Sequence, residues 1–156
     1  MKQPSDVLVP VQLVALGAAA LWPGRARWSL PGPVSVGADL VAAGGVGLVA
    51  AGALSLGRDL TPFVTPRDGA SLRTGGSYAI SRNPIYAGLL LLAGGVAVRR
   101  RRPEPLAAFA VLATALHVKT GAEEERLRER FGADYEAYAA RVPRMIGLPG
   151  RFRALS

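Results

Sequence analysis

The chain has 156 residues, one domain's worth of material; half of them are apolar and only 19% are charged. With no cysteine and a single histidine, it excludes disulfides, thiol catalysis, cysteine-bound zinc or iron–sulfur sites and a multi-histidine metal centre within one chain. The formal net charge is +8, but the basic residues flank four apolar blocks, so a positively flanked membrane protein explains it more simply than a nucleic-acid-binding face.

Val7 to Trp22 is the first apolar block, preceded by Lys2 and Asp6. Its Gly-Ala-Ala-Ala end has the look of a signal-peptide cleavage region. The leading region is too weakly basic for that, and a retained span is the expectation. Pro23 to Pro33 forms a short loop whose Arg25, Arg27 and Trp28 have the composition of a membrane interface. Val34 to Leu56 is the second block and the only one long enough to cross comfortably, since about 20 helical residues span the roughly 30 Å hydrocarbon core. Asp39, near its start, is placed to reach the headgroups. Ala43, Gly47 and Ala51 fall four apart and predict a stripe that another helix can approach closely. The neighbouring Gly-rich run at 44–47 lacks the preceding strand of a nucleotide-binding loop and reads as packing.

Gly57 to Pro84 is a long polar connection whose prolines and glycines rule out a continuous helix. Phe63, Val64, Tyr78 and Ile80 argue for a structured loop, and loops of this length are commonly functional. Ile85–Val98 and Pro105–Val118 form an apolar hairpin of about 14 residues per arm, or about 21 Å as helix. That falls short of a full span unless the arms are extended by a turn at each end or the hairpin dips in without fully crossing. Its tip, Arg99 to Arg102, lies outside in a four-span topology with a cytoplasmic C-terminus, against the positive-inside tendency. Snorkelling of those side chains to the headgroups softens the conflict.

From Lys119 the chain is soluble in character. Leu127, Phe131, Tyr135, Tyr138 and Val142 make one apolar stripe at helical spacing, predicted to lie on the membrane or on the helices beneath. Gly132 interrupts this segment, Asp134 caps the next piece and Pro143 ends it. The expected fold is all-α: about four membrane-embedded helices plus a C-terminal amphipathic helix, in a single domain over residues 1–156. Residues 1–56 supply two N-terminal spans; residues 57–156 supply the loop, the hairpin and the tail.

Three clusters carry chemical potential. Around the hairpin's start stand Tyr78, Arg82, Asn83, Pro84, Tyr86 and Gly88. Pro84 pushes Asn83 out of the helical region and then begins a helix, whose open N-terminus beside Arg82 favours an anion. Gly88 leaves room for something to lie against that helix. A plain Asn-Pro helix start with interfacial anchors accounts for the same residues. Beyond the hairpin come Glu123, Glu124 and Glu125, either a solvated face or, for one or two of them, groups turned toward the hairpin partner. Glu124 lies two turns after His117 on one face and is placed to bind a cationic amine or ribose hydroxyls, or to hold a proton. His117 itself reads more simply as interfacial packing. In the tail, Tyr135 and Tyr138 read as core contacts. Arg144 is placed to pair with a glutamate or meet an acidic substrate group.

Taken together, the sequence resembles the isoprenylcysteine carboxyl methyltransferase / phospholipid methyltransferase superfamily of integral membrane enzymes. The residues that carry the likeness are Leu60-Thr61-Pro62-Phe63, Leu72-Arg73-Thr74-Gly75-Gly76-Ser77-Tyr78 and Arg82-Asn83-Pro84-Ile85-Tyr86-Ala87-Gly88, then Glu123-Glu124 with Leu127, Phe131-Gly132 with Tyr135 and Tyr138, and Val142-Pro143-Arg144. The resemblance implies methyl transfer from S-adenosylmethionine to a lipophilic acceptor that enters from the bilayer, at the cytoplasmic face of the cell membrane. It makes Tyr78, Arg82, Asn83, Tyr86, Gly88, His117, Glu123 and Glu124 cofactor-site candidates and places Arg144 near the methyl acceptor. Glu124 and Arg144 are the candidates for catalysis, Glu124 as a base should the acceptor be an amine or phenol. Asn83 stands where the eukaryotic carboxyl methyltransferases carry His, which leaves the acceptor open. Two other readings stand beside this one: a nicotinamide-dependent membrane reductase, and a non-catalytic membrane adaptor. None of the three calls for nucleic acid or a metal.

Overall fold

A computed structural model describes residues 8–21, 23, 25–57 and 72–147, and these are all-helical, with no strand among them. Four helices follow one another: α1 (Leu8–Leu21), α2 (Gly32–Leu56), α3 (Pro84–Arg100) and α4 (Pro103–Ala139), with a short 3-10 turn at Gly76–Ala79 before α3. The motif segment Leu60-Thr61-Pro62-Phe63 and Val64 lie outside the described residues, as do Lys2, Asp6 and Trp22.

Glycine decides how α2 and α3 pack. A methyl group added at Gly45 would stand 2.5 Å from the Leu92 backbone nitrogen and 2.6 Å from the Gly88 carbonyl oxygen. One added at Gly95 would stand 2.5 Å from the Ala38 carbonyl, and one at Gly52 would stand 2.6 Å from Ile85 Cγ1. The order of these contacts makes the pair antiparallel, with backbones so close that no side chain fits between them. The face used is therefore Ala38, Gly45 and Gly52, not the expected stripe of Ala43, Gly47 and Ala51, which is exposed. The spacing rule found a small-residue face, but α2 carries two, and α3 presents its own glycines seven apart only to the second.

The hairpin's first arm gains one residue at its start and two at its far end, making α3 17 residues long or about 26 Å. Arg101 then closes the hairpin in the left-handed conformation, φ 54°, and Pro103 starts α4 at once. The second arm does not stop at Val118. It runs on through the glutamates, so the polar tail is a continuation of the apolar helix, broken only at Gly132 (φ 49°, ψ −121°). There the chain turns, and Tyr135, Tyr138, Ala139 and Val142 form a core cluster with Leu72, Leu127 and Phe131 against it. The predicted apolar stripe thus packs on its own chain. A second cluster joins α1, α3 and α4 through Ala15, Ala93, Leu112 and Leu116.

Two helices, Gly32–Leu56 and Pro103–Ala139, are long and apolar enough to cross a membrane, and α1 is a shorter apolar helix. Large apolar side chains on the outside include Leu13 (66% exposed), Val14 (72%), Leu40 (68%) and Leu54 (81%). Polar groups gather instead at the two ends of the helices. One end holds the Arg99–Arg102 tip and the loop after α1; the other holds the segment before α3 and the end of α4.

The packing contrast is testable by thermal or denaturant melting in detergent. Gly45→Val, forced against the α3 backbone, should destabilise by about 1–3 kcal/mol or more. Gly47→Val, with nothing within 4 Å, should stay within about 0.5 kcal/mol.

Candidate active site

Glu124 sits on α4 where the apolar part of the helix ends, and its side chain is 1% exposed. A carboxylate so far from water needs cations and donors around it. Arg144 supplies a two-pronged contact, Nε at 3.0 Å and Nη2 at 2.7 Å from Oε2. Arg82, itself 7% exposed, places Nη2 3.3 Å from Oε1, and the Asn83 amide approaches the same oxygen at 3.5 Å. Arg128, one turn further along α4, stands 3.9 Å away. Glu125 next door is exposed and reaches Arg128 at 3.4 Å.

The same neighbourhood is laced through the backbone. Arg82 N–H donates to the Pro143 carbonyl at 2.9 Å, and Asn83 Nδ2 donates to the Arg144 carbonyl at 3.0 Å. Ser81, fully buried, donates its hydroxyl to the Arg144 carbonyl and accepts from Asn83 N–H at 3.1 Å. The Tyr138 hydroxyl donates to the Tyr78 carbonyl at 2.6 Å. Three segments far apart in sequence, 77–83, the glutamates of α4 and the tail at 138–144, are thereby one unit.

Glu123 points elsewhere. It accepts the Tyr86 hydroxyl at 2.8 Å, across the hairpin from α3, while Lys119, 1% exposed and one turn before it on α4, lies with its ammonium 5.5 Å from the Tyr86 ring centre. Successive residues on a helix are about 100° apart, which is why adjacent glutamates serve two different partners. Tyr78 lies within the field of Glu123; burial first, then that charge, pushes its phenol up to about 12. Among the described residues, Arg82 Nε and Nη1 and the Tyr135 hydroxyl are buried without a hydrogen-bond partner. Arg82 stacks over the Tyr135 ring at 6.0 Å, so these open donors are neighbours.

Of the residues singled out from sequence, Tyr78, Arg82, Asn83, Tyr86, Glu123, Glu124 and Arg144 are brought together. Gly88 is not: it is buried against α2, where an added methyl would meet Gly45 O at 2.6 Å and Val49 N at 2.8 Å. The room it leaves is filled by a helix rather than a ligand. His117 is exposed although it shares a face with the buried Glu124. Ser81 and Lys119 went unremarked in the sequence. Lys119 had a signal, its position four residues before Glu123 on a helix; Ser81 had none.

No group of three or more His, Asp or Glu among the described residues has the placement to hold a metal ion. Arginines, tyrosines and carboxylates thus gather at one end of a set of apolar helices. A family model for phospholipid methyltransferases matches residues 34–134, well over half of the sequence, and the chain belongs to that family. It is also similar to protein-S-isoprenylcysteine O-methyltransferase B of Arabidopsis thaliana, 34% identical over 93 residues, which cover 58% of this chain and 47% of that protein. The chain spans about half the length of this curated relative. Membership of a methyltransferase family favours neither the reductase nor the adaptor.

Removing the Glu124 carboxylate strands two arginines. Glu124→Ala should cost about 3 kcal/mol in denaturant unfolding, the low end for a broken buried pair because Arg144 is 34% exposed. Glu125→Ala, 67% exposed, should stay within about 0.5 kcal/mol. For Tyr78, a raised native value means that the folded state keeps the proton longer. Its contribution to stability should be intact below the usual value of 10.0 and fall away as pH climbs through about 12. Ultraviolet difference titration of the wild type against Tyr78→Phe measures it.

Proposed function

We propose that the chain is an integral membrane methyltransferase that uses S-adenosylmethionine and acts on a lipophilic acceptor bearing a carboxylate or an amine. The observation that carries this reading is the two buried Arg82 nitrogens, Nε and Nη1, without a hydrogen-bond partner among the described residues, on the same end of the apolar hairpin as the half-buried Tyr86–Glu123 pair. An amino-acid carboxylate suits Arg82; ribose hydroxyls or an ammonium suit Glu123 and Tyr86. These residues fit the zwitterionic, hydroxyl-bearing cofactor, which when bound supplies an electrophilic methyl on a sulfonium. Family membership and the two long apolar helices support placement in a membrane. All four helices are embedded in this reading, and the site faces the cytoplasm.

What the chain's own residues do follows from their geometry. The hairpin and the tail hold the site against water, and the arginine–carboxylate lattice fixes where its donors stand. An ionised carboxylate acceptor needs no base, so alignment in a dry site supplies most of the effect. An amine acceptor must lose a proton, and the two glutamates are unequal candidates. Glu124 has its oxygens committed to Arg82, Arg144 and Asn83 and acts as a positioning residue, holding Arg144 near the acceptor. Glu123, with the Tyr86 hydroxyl as its hydrogen-bond partner, is the better placed proton acceptor.

Calorimetric titration of the detergent-purified protein with S-adenosylhomocysteine tests the reading. Saturable binding is expected, weakened about tenfold by Tyr86→Phe and at least as much by Arg82→Gln, with His117→Ala unchanged. Absence of binding to well-folded protein would sink it.

A further inference from the structure

The end of the molecule opposite the site holds a concentration of charge that methyl transfer does not use. Arg25 and Arg27 from the loop after α1 meet Arg99, Arg100, Arg101 and Arg102 of the hairpin tip. Arg27 N–H donates to the Arg101 carbonyl at 2.9 Å, and Arg102 Nη1 donates to the Arg25 carbonyl at 3.0 Å. The loops are therefore stitched together with their cations on one surface. Among the described residues, two carboxylates answer six arginines here. Asp39 takes Arg99 at 2.8 Å, and Glu104 is shared between Arg102 at 3.0 Å and Arg27 at 3.1 Å. Arg100 turns back to the Ala20 carbonyl at the end of α1. Arg25 is exposed, and Arg101 Nε is buried without a hydrogen-bond partner among the described residues.

Three further features point the same way. The N-termini of α2 and α4 both open at this end, with no side-chain cap bond from the N-cap residue, and the helix dipoles add positive potential that Glu104 in the first turn of α4 offsets only in part. Arg101 is the one non-glycine residue with positive φ among those described. That conformation costs a non-glycine residue roughly 1 kcal/mol or more, where glycine would relieve it. A hairpin needing only to close has no use for a guanidinium there. Finally, the surface immediately beside the arginines is apolar: Trp28 is 39% exposed, Leu21 78%, Val34 45% and Val36 57%.

We propose that this end is a binding site for the headgroup of an anionic phospholipid, its phosphate held by Arg25, Arg27 and Arg101. The inference rests on the membrane placement proposed above. A phosphate carrying acyl chains satisfies both halves of the surface, the cations and the apolar flank; a free phosphate satisfies only the first. The same binding accounts for the persistence of four consecutive arginines on the side where the positive-inside tendency disfavours them, because anionic headgroups offset the charge locally.

The test is native mass spectrometry of the full chain released from nanodiscs made of equal parts phosphatidylglycerol and phosphatidylcholine. The wild type should retain phosphatidylglycerol preferentially, and that preference should drop roughly fivefold for each arginine removed in Arg25→Gln, Arg27→Gln and Arg101→Gln. Lysine substitutions at the same three positions should keep most of it. Equal retention of the two lipids, or a preference unchanged in the triple glutamine variant, would overturn the proposal. Loss of the preference on adding millimolar inorganic phosphate would overturn it as well, by assigning the site to a free anion. Failure of the protein to enter nanodiscs at all would instead refute the membrane placement. Because the substituted side chains lie outside the apolar clusters, S-adenosylhomocysteine binding by the triple variant serves as its folding control.

Discussion

One buried carboxylate organises the end of this protein where the candidate site lies. Glu124 stands on a helix that has just left its apolar stretch, and at 1% exposure it has almost no water to solvate it. Its charge is supportable only if cations are brought to it, and the nearest ones belong to other parts of the chain: Arg82 before α3, and Arg144 beyond the end of α4. The electrostatic demand of a single side chain thus fixes where two irregular segments lie. Ser81, Asn83 and the Pro143 and Arg144 carbonyls then lock in backbone that has no helix or sheet to hold it.

Beneath this polar cap the structure relies on a different constraint. In α2 and α3 the glycines bring two backbones together until a methyl group would overlap. Close contact of this kind works without a hydrophobic driving force between the helices, as suits apolar helices whose outer surfaces are apolar too. The hairpin carries the result into the site. With α3 held against α2, Tyr86 on the other side of α3 is presented to Glu123 of α4. Rigid packing on one face and a polar contact on the other come from the same short helix.

Division of labour between the adjacent glutamates follows from helical geometry. Glu124 faces Arg82 and Arg144, whereas Glu123 faces the hairpin and takes the Tyr86 hydroxyl. The opposite end of the molecule repeats the theme with the sign reversed, since there the cations exceed the carboxylates that could answer them.

The helical class, the position of the hairpin and most of the residues that gather at the candidate site were legible in the sequence. Apolar blocks, Pro84 at a helix start and the ordered run of short motifs are local properties, written in neighbouring residues. Arg144 as a partner for a glutamate was legible too, because an arginine just after Pro143 has little packing role. What escaped were choices between locally equivalent options. Ala43-Gly47-Ala51, four apart, and Ala38-Gly45-Gly52, seven apart, are both small-residue faces of one helix, and only the glycines of α3 select one. Gly88 and His117 sit at suitable positions along their helices, but whether a helix, a loop or solvent lies opposite depends on segments tens of residues away. By itself the sequence determined which stretches are helical and which charges stand at their ends, because periodicity and composition act within a few turns. Tertiary structure decided which face meets which and which glutamate is sequestered, because those outcomes depend on close packing and on pairing charge across the whole chain.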